Sequence, residues 1–287
     1  MAVRKARPRR PLQPKKKTFL QCGRFSLPLE RPLLMGVVNV TPDSFSDGGR
    51  FEDAEAAIAH AHSLIDDGAH ILDVGGESSR PGAAPVSVEE ELRRVLPVVR
   101  QLRDVPVSVD TRRPEVMRAA LDFGASMIND IDALSAPGAL EAIAKSGCAV
   151  CLMHKQGEPA TMQRDPHYDD VVGEVKSFLE QRVKAARDAG IAAERIVVDP
   201  GFGFGKTVAH NLELLRRLKE LSSFPVLAGL SRKSSLEKIT GRPVGERLAG
   251  SLAMALLALQ GGARILRVHD VKETRDVIAV WEASNNA

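Results

Sequence analysis

Short β-branched runs alternate with amphipathic stretches along most of the chain. The strand-like runs lie near residues 33–40, 70–74, 105–109, 126–129, 148–153, 195–198, 225–229 and 263–268. The stretches that follow them place apolar residues at i, i+3 and i+4, a spacing typical of helices with one buried face. They lie near residues 54–65, 87–103, 114–123, 137–146, 170–189, 208–221, 234–260 (in pieces) and 270–284. Eight strands, each followed by a helix within about 250 residues, indicate an α/β fold of the (β/α)8 TIM-barrel type, although a doubly wound sheet carries the same alternation.

The region before the first long strand has two parts. Residues 18–29 alternate loosely around Cys22-Gly23 and predict a short β-hairpin. Residues 1–17 contain eight Lys/Arg, several prolines and no acidic residue, which indicates a disordered basic tail. We therefore expect a tail over residues 1–17 and one barrel domain over residues 18–287. Asp53 is the predicted N-cap of the first barrel helix.

Polar residues stand at or just after the end of each predicted strand. They are Asn39, Asp73, Asp110, Asn129, His154, Asp199, the triplet Ser231-Arg232-Lys233, and His269. Each one alone could be a helix N-cap, but in a barrel these strand ends converge on one face. Because desolvating so many polar groups is costly without partners, the set predicts a ligand site there.

The stretch 36–49 breaks from a strand into a loop with an unusual composition. The loop combines a proline, two carboxylates, two serine hydroxyls and Phe45. We expect it to be a mobile loop that covers a ligand, since a plain polar turn does not explain the aromatic residue.

The stretch 201–207 resembles a phosphate-binding loop but lacks the required spacing. A Walker A motif needs glycine at the position of Pro200, and the glycines run G-x-G-x-G. We expect these glycines to let the backbone approach a flat ligand. Phe45, Phe202 and Phe204 all lie in loops rich in Gly or Pro, which favours stacking on that ligand.

Two further sets of side chains suggest what the ligand is. Arg80 lies in the loop 75–84, and Arg267 and His269 are two apart, so on one strand they point the same way, as a bidentate phosphate clamp needs. Asn39 could complete a magnesium–diphosphate site, because Mg²⁺ takes few protein ligands.

The second set is Asp110, Asn129, Asp199 and Lys233, whose donors and acceptors suit a flat heterocycle with a donor-rich edge. A buried ion pair between Lys233 and one aspartate is the alternative, just as a surface ion pair is the alternative for a single arginine.

Charge and cysteine content narrow the class of protein. The net charge is +3, but residues 18–287 carry 32 basic and 37 acidic residues, a net charge of −5. The basicity therefore belongs to the tail, for which a solvated extension is favoured over nucleic-acid binding or targeting. Cys148 and Cys151 form a C-x-x-C within a strand, where they point to opposite faces, so we expect buried core cysteines in a reducing cytosol. No apolar run reaches the length of a membrane span and no leader is recognised, so a soluble cytoplasmic protein is expected.

Five motifs stand at or after the ends of predicted strands, and they begin at Asn39-Val-Thr-Pro-Asp, Asp73-Val-Gly-Gly-Glu, Asp199-Pro-Gly-Phe-Gly, Ser231-Arg-Lys-Ser and Arg267-Val-His-Asp. Together, and in this order, they resemble the dihydropteroate synthase family, the sulfonamide target of folate synthesis. The resemblance runs from about residue 33 to the last helix and leaves out residues 1–17. Ser79 departs from the threonine expected in many members, and the hydroxyl is kept.

The resemblance implies a transferase that condenses 6-hydroxymethyl-7,8-dihydropterin diphosphate with 4-aminobenzoate to give 7,8-dihydropteroate and diphosphate. It also implies magnesium as cofactor and a homodimer. The implied pterin site is Asp110, Asn129, Met153, Asp199, Phe204 and Lys233. The implied diphosphate site is Asn39 with magnesium, Ser79, Arg80, Arg267 and His269. The implied 4-aminobenzoate site is Phe45, Pro81, Lys233 and Ser234, near a helix N-terminus. The implied catalytic set is Asp110, Arg80, Lys233, Arg267 and His269.

Two other functions remain open from the sequence. A pterin-dependent methyltransferase can share the barrel and the pterin pocket, but it needs no diphosphate site. A catalytically silent relative could instead bind nucleic acid through the basic tail, which we consider unlikely because the strand-end residues are intact.

Overall fold

The computed structural model describes residues 18–40, 50–77, 85–158 and 161–286. In this part of the chain, a short hairpin precedes a regular alternation of strands and helices. The strands are β1 Phe19–Cys22, β2 Phe25–Pro28, β3 Leu33–Asn39, β4 Ile71–Gly75, β5 Val107–Asp110, β6 Met127–Asp130, β7 Ala149–Met153, β8 Ile196–Asp199, β9 Leu227–Ala228 and β10 Ile265–Val268. The helices are α1 Arg50–Asp66, α2 Val88–Gln101, α3 Pro114–Asp122, α4 Ala139–Ala144, α5 Val171–Asp188, α6 Val208–Arg216, α7 Ser234–Thr240, α8 Leu248–Gln260 and α9 Val271–Asn286.

Strands β3 to β10 form one closed parallel sheet. The sheet order is β8-β7-β6-β5-β4-β3-β10-β9. A parallel bridge between Val198 and Val226 joins β8 to the residue before β9 and closes the ring. This closure confirms the TIM barrel and excludes the open doubly wound sheet.

Alternation along each strand divides the apolar residues into two cores. Leu34 and Val38 of β3 belong to the large core between the barrel and its helices. Leu33 and Met35 of the same strand belong to a separate core inside the barrel. Because successive strand residues face opposite ways, one strand fills both cores.

The N-terminal hairpin covers the end of the barrel where the parallel strands begin. Strands β1 and β2 pair antiparallel, as predicted. Leu20 and Cys22 are fully buried and join the core inside the barrel. Gly23, whose φ of +55° suits glycine at this turn, donates from its backbone N–H to the carbonyl of Gly147 at 3.0 Å. The hairpin therefore closes this end, and the polar strand ends lie at the other.

Several smaller predictions are also settled. Cys148 lies in the core between the barrel and its helices, and Cys151 lies in the core inside the barrel. These two cysteines and Cys22 are free and buried, so the C-x-x-C is not a metal or redox pair.

The prediction that Asp53 caps the first barrel helix is wrong, because α1 begins at Arg50 and Asp53 lies within it. Among the described residues, no helix is long and apolar enough to cross a membrane. The basic tail lies outside the described residues, and the division at residue 17 stays a prediction.

Candidate active site

The strand ends converge on a deep pocket that opens into a wider cleft. Both cavities share walls formed by Asp110, Phe204, Gly229, Lys233 and Arg267. Ile131, Met153, Asp199 and Phe202 complete the deep part. The wide part adds the following residues: Val37, Asn39, Glu77, Gly203, Ser231, Arg232, Ser234, Val244, Arg247 and His269.

A network of charged hydrogen bonds forms the floor of the pocket. Arg267 donates from Nε to Oδ2 of Asp73 at 2.6 Å and from Nη2 to Oδ2 of Asp110 at 3.0 Å. Asn129 donates from Nδ2 to the same Asp73 oxygen at 3.1 Å. Asp73 and Asn129 are fully buried. Residues 194 positions apart in the chain are joined in this way, because their strands end on the same face.

Burial and neighbouring charges set the ionisation of this floor. Burial raises the pKa of Asp110 to about 7; the charges of Asp73 and Glu91 add to the rise, and those of Arg267 and Lys233 oppose it. Burial alone would lower the pKa of Arg267, but the nearby carboxylates of Asp73 and Asp110 more than offset this and raise it. Arg267 is therefore a permanent cation, while Asp110 can change its charge near neutral pH.

Asp199 fixes the start of the glycine-rich loop that forms one wall. Its Oδ1 accepts a 2.7 Å hydrogen bond from the backbone N–H of Gly201. Burial raises the pKa of Asp199 to about 6, and the Gly201 hydrogen bond limits that rise. Gly201 has φ +68°, and a Cβ there would come within 1.8 Å of the carbonyl oxygen of His154. Only glycine fits, which explains one glycine of the motif physically.

Apolar side chains line the other wall of the deep pocket. Met153 and Phe204 pack with Ile131 and Met162 in a small cluster separate from both cores. The ammonium of Lys233 lies 4.1 Å from the centroid of the Phe204 ring, a cation–π contact. A flat ligand entering this space meets apolar groups on its face and two carboxylates and an ammonium at its edge.

The wider cleft contains the groups predicted to bind an anion. His269 has its Nδ1 3.1 Å from the hydroxyl oxygen of Ser231, which also accepts from the His269 backbone N–H at 3.3 Å. Asn39, at the end of β3, and Ser234, the first residue of α7, line the same cleft. The cleft thus brings together those predicted diphosphate and 4-aminobenzoate residues that the structure describes.

Four predicted site residues lie outside the described residues, namely Phe45, Ser79, Arg80 and Pro81. The loop 41–49 lies outside them as well, so its covering role stays a prediction. The described residues Glu77 and Val86 lie on either side of the segment 78–84. Arg113 donates from Nη2 to the Val86 carbonyl at 2.7 Å and to Oε1 of Glu77 at 3.3 Å, and so joins the two borders.

The expectation for His154 was wrong, and that for Phe202 is only partly tested. His154 does not face the pocket: its ring packs edge-on against Phe178, with ring centroids 4.9 Å apart, and its Nδ1 lies 2.9 Å from the ammonium of Lys206. Phe202 belongs to the core between barrel and helices and also lines the deep pocket, so its predicted stacking role stays a prediction.

Sequence reasoning also overlooked residues that shape the site. The sequence placed Asp73 at a strand end but predicted no role for it, although it contacts both Arg267 and Asn129. Ser231, Arg232 and Gly229 line the cleft but carried no assigned role. Asp73 and Asp110 both lie on inward positions of their strands, and this shared direction was the available signal.

Comparison with known proteins agrees with this geometry. The signature of the pterin binding enzyme family matches residues 35–269. The dihydropteroate synthase of Escherichia coli K12 is 53% identical over 267 residues, covering 91% of this chain and 95% of that protein. A solved structure of Xanthomonas albilineans dihydropteroate synthase with 4-aminobenzoic acid has a TM-score of 0.90 at 53% identity and covers 95% of this chain and 100% of that one. The Burkholderia cenocepacia dihydropteroate synthase complexed with 7,8-dihydropteroate has a TM-score of 0.87 at 49% identity, and the match covers 94% of this chain and 97% of that one.

The barrel with a polar, aromatic-walled mouth is that of a pterin-binding enzyme, and the chain belongs to this family. Within it, the relatives at about half identity over nearly their whole length place the chain among the dihydropteroate synthases.

Proposed function

We propose that the barrel mouth condenses 6-hydroxymethyl-7,8-dihydropterin diphosphate with 4-aminobenzoate, giving 7,8-dihydropteroate and diphosphate. The observation that carries this is the deep pocket, which is lined by Asp110, Asp199 and Lys233 and walled by Phe204 and Met153. A flat heterocycle rich in N–H donors is complementary to that arrangement, and the cationic cleft above it suits a diphosphate.

The pterin would lie in the deep pocket. Asp199 and Asp110 would accept from ring and exocyclic N–H groups, and Asn129 would present its carbonyl oxygen. Lys233 would donate to a carbonyl or ring nitrogen while its ammonium stays over Phe204. The 4-aminobenzoate would lie nearer the surface, beside Lys233 and Ser234, with Phe45 and Pro81 of the neighbouring loops completing its site.

The diphosphate would occupy the wide cleft. His269 lines it, and Arg267 reaches it from the floor. Arg80 and Ser79, from the segment 78–84, would add to this anion site. Two of the donors of Arg267 already contact Asp73 and Asp110, so we expect Arg267 to act as a fixed charge.

The donor groups also fit magnesium brought in with the substrate. The described residues contain no cluster of three or more His, Cys, Asp or Glu that could hold a metal alone. Asn39 offers one amide oxygen at the cleft, which suits Mg²⁺ that takes its remaining ligands from phosphate and water. Asn39 would hold the ion, and magnesium supplies charge stabilisation to the departing diphosphate when bound.

The chain's own residues favour a dissociative substitution. The bond between the pterin methylene carbon and the diphosphate oxygen breaks, with its electron pair leaving on the diphosphate. The arylamine nitrogen then forms the new bond and loses a proton. Ionised Asp110 would stabilise the positive charge on the pterin, and Arg267, Lys233 and His269 the negative charge on the leaving group. Closure of the neighbouring loops would exclude water that otherwise captures the cation.

We further propose that the protein is a cytoplasmic homodimer. Ile239 of α7 and Leu248 of α8 are 48% and 39% exposed, and such apolar surface is suited to a second copy. Light scattering at micromolar concentration should give twice the mass of one chain, and a monomer would contradict this part of the proposal.

The deciding experiment is a reaction with the purified protein, both substrates and Mg²⁺, followed by chromatography of the product. We expect dihydropteroate to form, to require Mg²⁺, and to be suppressed by a sulfonamide that competes with 4-aminobenzoate. Pterin binding without product would instead favour the methyltransferase or the silent relative.

A further inference from the structure

We propose that Asp73 is a positioning residue of the pterin site, which orients the amide of Asn129 and the guanidinium of Arg267 toward the ligand. One oxygen, Oδ2, accepts from Nδ2 of Asn129 at 3.1 Å and from Nε of Arg267 at 2.6 Å. This inference rests on the proposed function and adds a residue to which no role is otherwise assigned.

The contact with Asn129 decides which end of its amide is left for a ligand. Because Nδ2 donates to Asp73, Oδ1 is turned the other way. This Oδ1 is buried and has no hydrogen-bond partner among the residues that the structure describes. A carboxylate accepts only, so it can bind the NH₂ end of the amide but not the oxygen. Asp73 therefore makes Asn129 an acceptor, which discriminates for a ligand with an N–H at that edge.

The contact with Arg267 fixes a permanent charge. The guanidinium uses Nε for Asp73 and Nη2 for Asp110 at 3.0 Å, so two carboxylates hold it from two sides. A planar fork bound at two points has little rotational freedom. Asp73 consequently controls both how Arg267 faces the cleft and how close it remains to Asp110.

The position of Asp73 in the barrel favours this role over a purely structural one. Asp73 is fully buried, and its second oxygen, Oδ1, also has no hydrogen-bond partner in the described part of the chain. Burying a charged group costs several kcal/mol before its partners offset that cost, so an apolar residue would serve stability equally well. Inward residues below it, such as Met35 and Met127, are indeed apolar.

The test uses Asp73→Asn, which keeps the shape of the side chain but removes its charge and its acceptor-only character. The matched control is Ser108→Ala. Ser108 stands opposite Asp73 in the strand register, is fully buried, and has a hydroxyl without a partner among the described residues. Equilibrium binding of 6-hydroxymethyl-7,8-dihydropterin diphosphate is measured in the whole protein, together with the Tm.

We expect Asp73→Asn to weaken pterin binding by about 10- to 100-fold, the usual effect of losing a hydrogen bond to a charged group, and Ser108→Ala by less than about twofold. In an Asn129→Ala background, the penalty of Asp73→Asn should shrink at least about fivefold, since a positioning residue acts through the group it holds. Additive penalties, or equal loss in the Ser108 control, would overturn the inference.

A second measurement avoids the risk that Asp73→Asn fails to fold. In the wild-type protein with ¹⁵N-labelled asparagine, the side-chain NH₂ of Asn129 should show one proton that is protected from exchange before and after ligand binding. Rapid exchange of both protons would contradict the Asp73 contact. Failure of the wild-type protein to bind the pterin would instead count against the proposed function itself.

Discussion

The ammonium of Lys206 lies 2.9 Å from Nδ1 of His154, and this contact joins the loop after β7 to the glycine-rich loop after β8. Lys206 also donates to the carbonyls of Gly201 and Phe204, each at 3.0 Å. Burial, aided by the Lys206 charge, lowers the pKa of His154 to about 3, so the imidazole is neutral and can accept from the lysine, whose own pKa burial lowers to about 7. Lys206, which in sequence resembles the lysine of a phosphate-binding loop, thus stabilises the pocket wall through internal hydrogen bonds.

Replacing Lys206 by Met should loosen the wall that carries Phe204. The Gly201 and Phe204 carbonyls and His154 would lose their shared donor, so we expect the KM for the pterin diphosphate to rise about tenfold. The KM for 4-aminobenzoate should change less than about twofold. Steady-state kinetics with each substrate varied in turn measures this, with Lys238→Met, at an exposed position on α7, as control. Equal increases in both KM values would show general damage instead.

The acid side of the pH dependence should follow the two buried aspartates, while Lys206, whose pKa burial lowers to about 7, loses its charge as the pH rises. Only the ionised form of Asp110 stabilises a pterin cation, and its pKa is raised to about 7, so kcat/KM should rise as the pH increases through 7. Asp199, with a pKa raised to about 6, should add a second loss at lower pH. These two pKa values belong to interacting groups, and a pH–rate profile between pH 5 and 9 reports their combined titration.

In the Asp110→Asn variant, the change in kcat/KM near pH 7 should disappear and the change near pH 6 should remain. We expect kcat to fall at least about 100-fold, as is usual when an electrostatic contact to a transition state is removed. Retained pterin binding, measured separately, shows that the site is still assembled. Undiminished turnover would refute the electrostatic role of Asp110.

Gly201→Ala should destabilise the protein and disrupt the pocket. The new Cβ would lie 1.8 Å from the His154 carbonyl oxygen, and φ is +68°. We expect a loss of about 3 kcal/mol or more in the free energy of unfolding, hence a Tm roughly 6–12 °C lower. Gly245→Ala is the control, because a Cβ there meets no atom within 4 Å. Calorimetry of both variants checks the difference, and an equal Tm would show that the loop accommodates the Cβ without strain.

Arg113→Met should destabilise the protein in a pH-dependent way. Arg113 contacts Glu91, which is 1% exposed and whose pKa is raised mainly by burial. Without Arg113 the ionised carboxylate is buried and unpaired, which costs about 3–5 kcal/mol. The penalty should be largest above the pKa of Glu91 and shrink as the pH falls through it, since a protonated carboxyl needs no cation. Urea unfolding at several pH values measures it.

The double variant Arg113→Met/Glu91→Gln separates this charge effect from lost packing. It should recover most of the stability at neutral pH and be insensitive to this titration. If the double variant is as unstable as Arg113→Met at every pH, the unpaired charge is not the cause.

The barrel itself was predictable because its repeat is local. Each helix has a buried face, and each strand is a short apolar run, so order and number follow from the sequence. The ends of the strands were less accurate. The strand predicted at 195–198 is β8 Ile196–Asp199, because main-chain pairing continues past the last apolar residue into the polar mouth. The strand predicted at 225–229 is only Leu227–Ala228, where Pro225 has no N–H to donate.

The direction of each strand side chain explains which site residues were predicted correctly from the sequence and which were not. Asp110 and Asn129 are paired across neighbouring strands and both face inward, as strand-end chemistry predicted. His154 follows the inward Met153, so the period of two already turned it away, and that signal was overlooked. The bond between Arg267 and Asp73 depends on closing the barrel across 194 positions, which no local pattern contains.

The hairpin of β1 and β2 closes one end of the barrel. Leu20 and Cys22 fill the end opposite the mouth, so both substrates must pass the same opening. The proposed pterin pocket is the deeper of the two spaces, and a 4-aminobenzoate bound beside Ser234 would stand between it and the cleft that the described residues form. With the substrates placed as proposed, the pterin would therefore have to bind before 4-aminobenzoate.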